Sequence, residues 1–288
     1  MDFLKIPGLN CESAQHGTIQ RYFVYVRRQY TEVNVRRIRI VVAYDGTNYC
    51  GWQIQPNGIT IEEILNRQIS KVTGEDIRII GASRTDSGVH ALGNVAVFDT
   101  ESRIPGDRFA YALNQKMPED IVIVKSEEVP LDWHPRYQDE IFKTYEYHIY
   151  NAKVRNPLKS RYSTFVSFDL DVEKMREGAK YILGEHDFAS FCNVRTNTKD
   201  TVRTVHEIEI VENPEREIII RVTGNGFLYN MVRIIAGTLI RVGRGFYEPE
   251  KIRDILEAKE HTSEGITAPP NGLVLVSIDY PEEKCDFE

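Results

Sequence analysis

The sequence predicts an α+β fold of two similar lobes, each an antiparallel sheet with helices on one face, with a cleft between them. Three observations carry this expectation. Short runs with apolar residues at every second position recur along the chain, as half-buried strands require. Several arrive in adjacent pairs, the habit of antiparallel neighbours, with helical periodicity in between. The rhythm of the first half then returns in a second half of similar size, although no repeat is visible as sequence identity. The organisation expected is an N-terminal extension over 1–36, lobes over 37–140 and 141–281, and an acidic tail over 282–288.

Regular structure starts at RIRIVVAYDG, where Ile38, Ile40, Val42 and Tyr44 alternate with Arg39, Val41, Ala43 and Asp45. TNYCGW turns the chain. TIEE, Thr60 to Glu63, has the form of a capping box, in which the Thr60 side chain accepts from the N3 amide and Glu63 reaches back. Ile61, Ile64, Leu65, Ile69 and Val72 follow at helical spacing. DIRIIG predicts a strand that leads into a loop from Gly81 to about Gly93, and NVAVFDT a strand that leaves it. GDRFAYALNQKM reads as a helix and DIVIVKSEEV as a strand. In the second half KTYEYHIYN is a strand, and DVEKMREGAKYILG a helix with Asp171 as N-cap. TVHEIEIVE and REIIIRVTG are two strands fit to be neighbours. FLYNMVRIIAGTLIRVG is a long apolar helix, EPEKIRDILEAK an amphipathic one, and GLVLVSIDY the closing strand.

The 288 residues suffice for one large domain or two modest ones. Hydrophobic residues at 41% and charged residues at 27% are ordinary for a soluble globular protein. A formal charge of −7 excludes a uniformly basic coat but not a local basic groove. Cys11, Cys50, Cys192 and Cys285 are scattered without a C-x-x-C pair, which argues against a zinc site and a secreted disulfide scaffold. Free thiols in a reducing cytoplasm are expected. MDFLKIPGLN lacks the pattern of a signal peptide. GNGFLYNMVRIIAGTLI is short for a membrane span and carries Arg233 in its middle, so a buried helix is expected. HGTIQRYFVYVRRQYTEVNVRR mixes aromatics with arginines. It fits an RNA-touching arm, an extension without a core, or a start codon placed too far upstream.

The chemistry concentrates in GASRTDSGVHALG, Gly81 to Gly93. A loop held by a rigid sheet is where functional side chains gather. Gly88 permits a turn that other residues resist, and Ser87 can bond to nearby backbone. Asp86 is thereby offered at a sheet edge as an anion, since an ordinary aspartate has a pKa near 3.9. Nucleophile, base, metal ligand and plain Asx-turn aspartate all remain open from this stretch alone. Asp-Ser-Gly also occurs in aspartic proteases, but those need two carboxylates sharing a proton. One such triplet would demand a dimer, and Arg84 and His90 suit that chemistry poorly. His90 reads as a structural turn histidine.

GASRTDSGVHALGNVAVF resembles the catalytic signature of TruA-type tRNA pseudouridine synthases, whose usual form is G-R-T-D-A-G-V-H-A. YDGTNYCGWQIQ, KTYEYHIYN, LGEHDFASF, VRTVHEIEI, GNGFLYNMVRIIAGTLIRVG and APPNGLVLVSIDYP resemble further family segments in the family's order, over about residues 37–281. The resemblance implies a two-lobed α+β fold with a positively charged cleft and isomerisation of uridine to pseudouridine at positions 38–40 of the tRNA anticodon arm. It also implies a cytoplasmic homodimer that acts on tRNA, not on DNA or at a membrane, with no metal or organic cofactor. Asp86 matches the family's nucleophile, Tyr145 the tyrosine that stacks on the target base, Arg233 the arginine that pairs with the aspartate, and Arg84 the arginine associated with nucleotide flipping. Leu275 resembles a pocket-wall leucine, though a core strand residue describes it equally well. Two departures stand out: Ser87 replaces the usual Ala, and WHPRYQDEIF replaces a segment closer to FHARFSA.

Residue chemistry agrees with these roles. Arg233 is the only charge between Gly224 and Ile240, and an arginine in so apolar a helix needs an anionic partner or a route to solvent. Paired with Asp86, it is expected to keep the carboxyl ionised by lowering its pKa by about 1–3. Tyr145 and Tyr147 fall on one side of their strand, so spacing alone allows both to be core residues. Arg84 fits a flipping wedge and a phosphate contact about equally. Arg136 and Arg241 are further candidates to meet phosphates. An RNA-binding protein that keeps this fold without catalysis is the main alternative function, and the intact Asp86, Tyr145 and Arg233 speak against it.

Overall fold

The computed structural model describes residues 34–193, 200–259 and 266–281. The expectations for the extension up to residue 33, the tail from 282, Cys11 and Cys285 lie outside them. The described residues form ten strands and five α-helices, an α+β arrangement as the sequence predicts. The strands are β1 (Arg36–Tyr44), β2 (Ile80–Gly81), β3 (His90–Thr100), β4 (Ile121–Val129), β5 (Phe142–Asn151), β6 (Thr164–Val166), β7 (Gly184–Asp187), β8 (Val202–Asn213), β9 (Glu217–Gly224) and β10 (Leu273–Asp279). The helices are α1 (Ile61–Thr73), α2 (Phe109–Asn114), α3 (Val172–Ala179), α4 (Met231–Gly243) and α5 (Lys251–Ala258).

The two halves share one sheet, in the order β4-β1-β3-β10-β5-β9-β8-β7. Neighbours along it are antiparallel except at the centre. There β10, the last strand among the described residues, lies parallel to β3, with Val274 opposite His90 and Leu275 opposite Ala91. On its other side β10 runs antiparallel to β5. β10 thus fuses the sheet of the first half to that of the second. Strand alternation matches the expectation: Ile38, Ile40, Val42 and Tyr44 of β1 are all buried, while their neighbours are less so. β8 and β9 are antiparallel neighbours, as their adjacency in sequence suggests.

Helix ends follow the local chemistry. Thr60 accepts from the Glu63 amide at 3.3 Å, and Asp171 from the Lys174 amide at 3.0 Å, each satisfying a backbone donor that the helix leaves open. Ile61, Ile64, Leu65 and Ile69 are buried. The apolar run after Phe227 is a buried helix, though shorter than expected, because the chain turns through a left-handed Asn230 (φ 63°) before α4 begins at Met231. No helix among the described residues is long and apolar enough to cross a membrane.

Two local expectations are corrected. DIRIIG is strand only at Ile80 and Gly81. Ile77 and Ile79 are buried alternately as a strand would have them, but their amides are taken by side chains of α1: Ile77 donates to Ser70 Oγ and Ile79 to Asn66 Oδ1, both at 2.9 Å. A helix thus supplies acceptors that a neighbouring strand would otherwise provide. The loop after Gly81 ends at Val89, not near Gly93, because β3 begins at His90, where pairing with β10 becomes available.

The two caps yield a stability expectation. Thr60→Ala and Asp171→Ala should each destabilise the protein by about 1 kcal/mol. The effects should add, since the caps share no partner. Denaturant midpoints of both single variants and the double variant check this; midpoints equal to that of the parent would mean that neither bond contributes.

Candidate active site

The segment from Ala82 to Val89 carries Asp86, and almost every residue of it is tied down. The Ala82 amide donates to Val95 O at 2.7 Å. Asn94, fully buried on β3, donates from Nδ2 to Ser83 O at 3.0 Å. The Thr85 hydroxyl bonds to Tyr44 Oη at 2.7 Å, and Thr85 O accepts from the Trp52 amide at 3.0 Å. The Val89 amide closes a turn onto Asp86 O at 3.1 Å. Gly88 is third in that turn with φ of 79°, the left-handed value that a type II turn requires there. Ser87 donates to Tyr49 O at 3.2 Å, so its hydroxyl ties two loops together, not the turn to itself. A side chain at Gly51 would come within 2.6 Å of Thr85 O, which makes glycine necessary where the 46–52 turn passes beneath the segment. Within this frame Ser83 and Thr85 are buried while Arg84 is exposed.

Across from Asp86 stands Arg233, in the first turn of α4. Its Nη1 lies 3.0 Å from Asp86 Oδ2, and the two side chains are 15% and 22% exposed. The guanidinium is held twice more. Nε donates to Ala268 O at 2.8 Å and Nη1 to Asn230 Oδ1 at 3.0 Å. The left-handed turn at Asn230 therefore has a use: it brings an acceptor to the arginine three residues on.

The pairing expected for Arg233 is present, but its electrostatic consequence differs from the expectation. Burial pushes the Asp86 carboxyl above its ordinary value, and Arg233 opposes this without overcoming it. Desolvation of the anion is the larger effect because few other donors reach it. Asp86 is thus a half-buried, relatively basic carboxylate held in place by one cation.

Asp86 lines an open pocket of about 830 Å³, with Arg233 just behind it. Its walls come from the first half through residues between Cys50 and Asn57, between Ala82 and Val89, and Arg136, and from the second through Lys143, Tyr145, Arg203, Phe227–Val232 and Leu273. Tyr145 is 6% exposed, meets Phe227 edge-on at 5.2 Å, and bonds through its hydroxyl to Ser83 Oγ at 2.9 Å. Burial raises its pKa to about 12, so it is neutral at physiological pH. Tyr147 is wholly buried and bonds to Thr164 and Pro269, in the core. Leu275 is fully buried opposite Tyr145 on the neighbouring strand; Leu273, two residues earlier, lines the pocket. Arg84 and Arg136 line the pocket, whereas Arg241 lies elsewhere, bonded to Tyr247 at 2.7 Å. His90 is buried, with Nδ1 accepting from the Gly46 amide and Nε2 near Arg161 O, a structural position.

Sequence reasoning missed Asn94, Asn230, Phe227, Lys143 and Arg203. Asn94 had a usable signal, a lone amide in an apolar strand. Lys143 and Arg203 sit in strands whose alternation gives no hint that the second half folds onto the Asp86 segment.

The profile of the tRNA pseudouridine synthase family matches residues 40–138 and 179–281. Among similar proteins is the tRNA pseudouridine synthase A of a Thermoanaerobacter species, 47% identical over 246 residues, which covers 85% of this chain and all of that protein. The tRNA pseudouridine synthase A of Ruminiclostridium cellulolyticum and the tRNA pseudouridine synthase A 2 of Clostridium perfringens are each 48% identical over the same length and coverage. With a profile match over more than half of its residues and relatives of this identity along their whole length, the chain belongs to the tRNA pseudouridine synthase family.

Proposed function

We propose that this protein isomerises uridine to pseudouridine at positions 38–40 in the anticodon arm of tRNA, with Asp86 as the nucleophile. One observation carries the reading: a single carboxylate, fixed 3.0 Å from Arg233, borders a pocket walled by Tyr145 and otherwise charged only by cations. The reaction breaks the bond from C1′ to N1, turns the base and joins C1′ to C5. One proton leaves C5 and one arrives at N1. Composition and oxidation state are unchanged, so the reaction calls for no redox cofactor.

Each side chain then has a part. The base cannot turn inside a stack, and unstacking it costs roughly a few kcal/mol. Arg84, exposed at the pocket rim, takes the place that the base leaves or holds the adjoining backbone. Tyr145 receives the flipped base, and stacking returns ~1–3 kcal/mol. Leu275 backs Tyr145 from the next strand. Asp86 attacks the nucleotide or faces the cationic sugar; both roles need the ionised form. Arg233 keeps that form available against the burial that opposes it and fixes its direction. We infer a cytoplasmic homodimer as well, on the support of the family alone.

Asp86→Asn keeps an oxygen for Arg233 but loses the charge. Turnover of an unmodified tRNA transcript should fall to background while the dissociation constant stays near wild type, the mark of a group that acts in the transition state. The Asp86 pKa is raised by folding, so between 3.8 and its native value the native state binds more protons than the unfolded state. Stability therefore falls as pH rises through that window. The charge is a net cost at neutral pH, and the variant should melt no lower than its parent. Substantial pseudouridine formed by folded Asp86→Asn protein, with deamidation excluded by mass spectrometry, would sink the assignment.

The acid limb of the pH profile for single turnover should lie above the ordinary aspartate value, because burial outweighs Arg233. Arg233→Gln removes the opposing cation, so the limb should move further toward neutral. A limb that stays in place would show that the titrating group is not Asp86.

Tyr145→Leu should weaken capture of the flipped base relative to Tyr145→Phe by ~1–3 kcal/mol. If the hydroxyl acts only through Ser83, Tyr145→Phe retains most turnover. Wild-type kinetics in both variants would remove Tyr145 from the site.

A further inference from the structure

We propose that Lys143, Arg136 and Arg203 form a seat for one backbone phosphate of the bound RNA, next to the nucleotide that enters the pocket. This rests on the tRNA reading above and adds a contact within the same site.

The geometry is as follows. Arg136 Nε donates to Gly81 O at 2.8 Å, and Lys143 Nζ to Ala82 O at 3.2 Å. These are consecutive carbonyls at the entrance to the Asp86 segment, so the two cations stand side by side. Arg203, from β8, is close enough to repel Lys143, and all three line the pocket. Other arginines of the sheet are matched: Arg36, Arg37, Arg39 and Arg221 each have a carboxylate within 3.0 Å. Among the described residues, Arg136 and Lys143 have no acidic side chain at ion-pair distance. The one beside Arg203 is an exposed Asp200 at 3.9 Å.

Like charges grouped in a partly buried wall are unfavourable without an anion. Two guanidinium forks and an ammonium suit the tetrahedral oxygens of a phosphodiester. Burial and the repulsion of Arg136 and Arg203 bring Lys143 down to about 8. The other groups that face it do not relieve this. Its cross-strand neighbours Gly224 and Ile278 are uncharged, Tyr145 is neutral, and Asp86 is engaged by Arg233. An arriving phosphate reverses the local field, so RNA binding draws a proton onto Lys143.

A stability consequence separates this role from a structural one. Between about 8 and 10.5 the unfolded state binds a proton at Lys143 that the native state has lost, so stability rises with pH through that window. Below it the charged lysine is a cost to the RNA-free fold. Lys143→Met should therefore raise the melting temperature at pH 7 while it weakens RNA binding.

The test measures the affinity of the full chain for an unmodified tRNA transcript, across salt concentration and between pH 6.5 and 8.5. Lys143→Met should weaken binding roughly tenfold. It should also lower the slope of log affinity against log salt by about one. Wild-type binding should weaken as pH rises toward 8.5. Lys143→Arg should keep the affinity and lose that pH dependence. A neutral methylphosphonate at one phosphate flanking the target uridine should cost the wild type about what Lys143→Met costs, and should cost that variant nothing further. Inorganic phosphate at matched ionic strength should not compete; strong competition would assign the seat to free phosphate and overturn the RNA-backbone proposal. A folded Lys143→Met protein with wild-type affinity, salt slope and pH profile would overturn it too. Failure of the tRNA reading looks different: wild-type protein would neither bind nor isomerise the transcript, and the seat would fall with it.

Discussion

The ion pair between Asp86 and Arg233 is the constraint around which the rest is arranged. Its members lie 147 residues apart, one in the first half of the chain and one in the second. Each is held by its own side: Asp86 by a turn pinned to Tyr44, Tyr49, Trp52 and Asn94, and Arg233 by Asn230 and the Ala268 carbonyl. Neither half contains a site alone. A pair so fixed costs little reorganisation when charge shifts during a reaction, which is the condition for electrostatic stabilisation. Burial sets its character. A fully hydrated Asp86 would be a weaker base, and without Arg233 it would lean toward the neutral acid.

Charge is distributed to the same end. The chain carries a formal −7, yet the pocket wall holds Arg84, Arg136, Lys143 and Arg203 against the lone acid. Acidic residues are spent on the sheet surface, where Glu127 and Glu128 neutralise Arg39 and Arg36 and Glu146 binds Arg221. Total charge therefore says little about the ligand. What matters is where cations stand unmatched, and a concave wall of one sign concentrates its field on whatever enters.

Much of this was legible in sequence, for identifiable reasons. Alternation marked β1, β5 and β9 because each buries one face, and the caps at Thr60 and Asp171 are local chemistry that reads directly. Arg233 declared itself by its isolation in an apolar run. The failures involve partners distant in sequence. DIRIIG looks like a strand, but side chains of α1 take its amides. β3 begins earlier than expected because its parallel partner lies some 180 residues further on. The Asp86 pKa takes the wrong sign from the sequence, since the arginine partner was readable and the extent of burial was not. Lys143 was invisible as a site residue for the same reason: its cationic neighbours come from the loop before β5 and from β8.

The central place of β10 has a consequence for biosynthesis. Among the described residues Leu273–Asp279 is the last strand to leave the ribosome, yet it fills the gap between β3 and β5. Until it emerges, both strands present open edges, the kind of surface that templates association with other chains. The nascent protein thus holds all its candidate catalytic side chains before the seam that joins its halves has been made. Premature termination anywhere before residue 273 would leave two facing edges exposed, so quality control of this protein turns on whether the seven residues of β10 have been made.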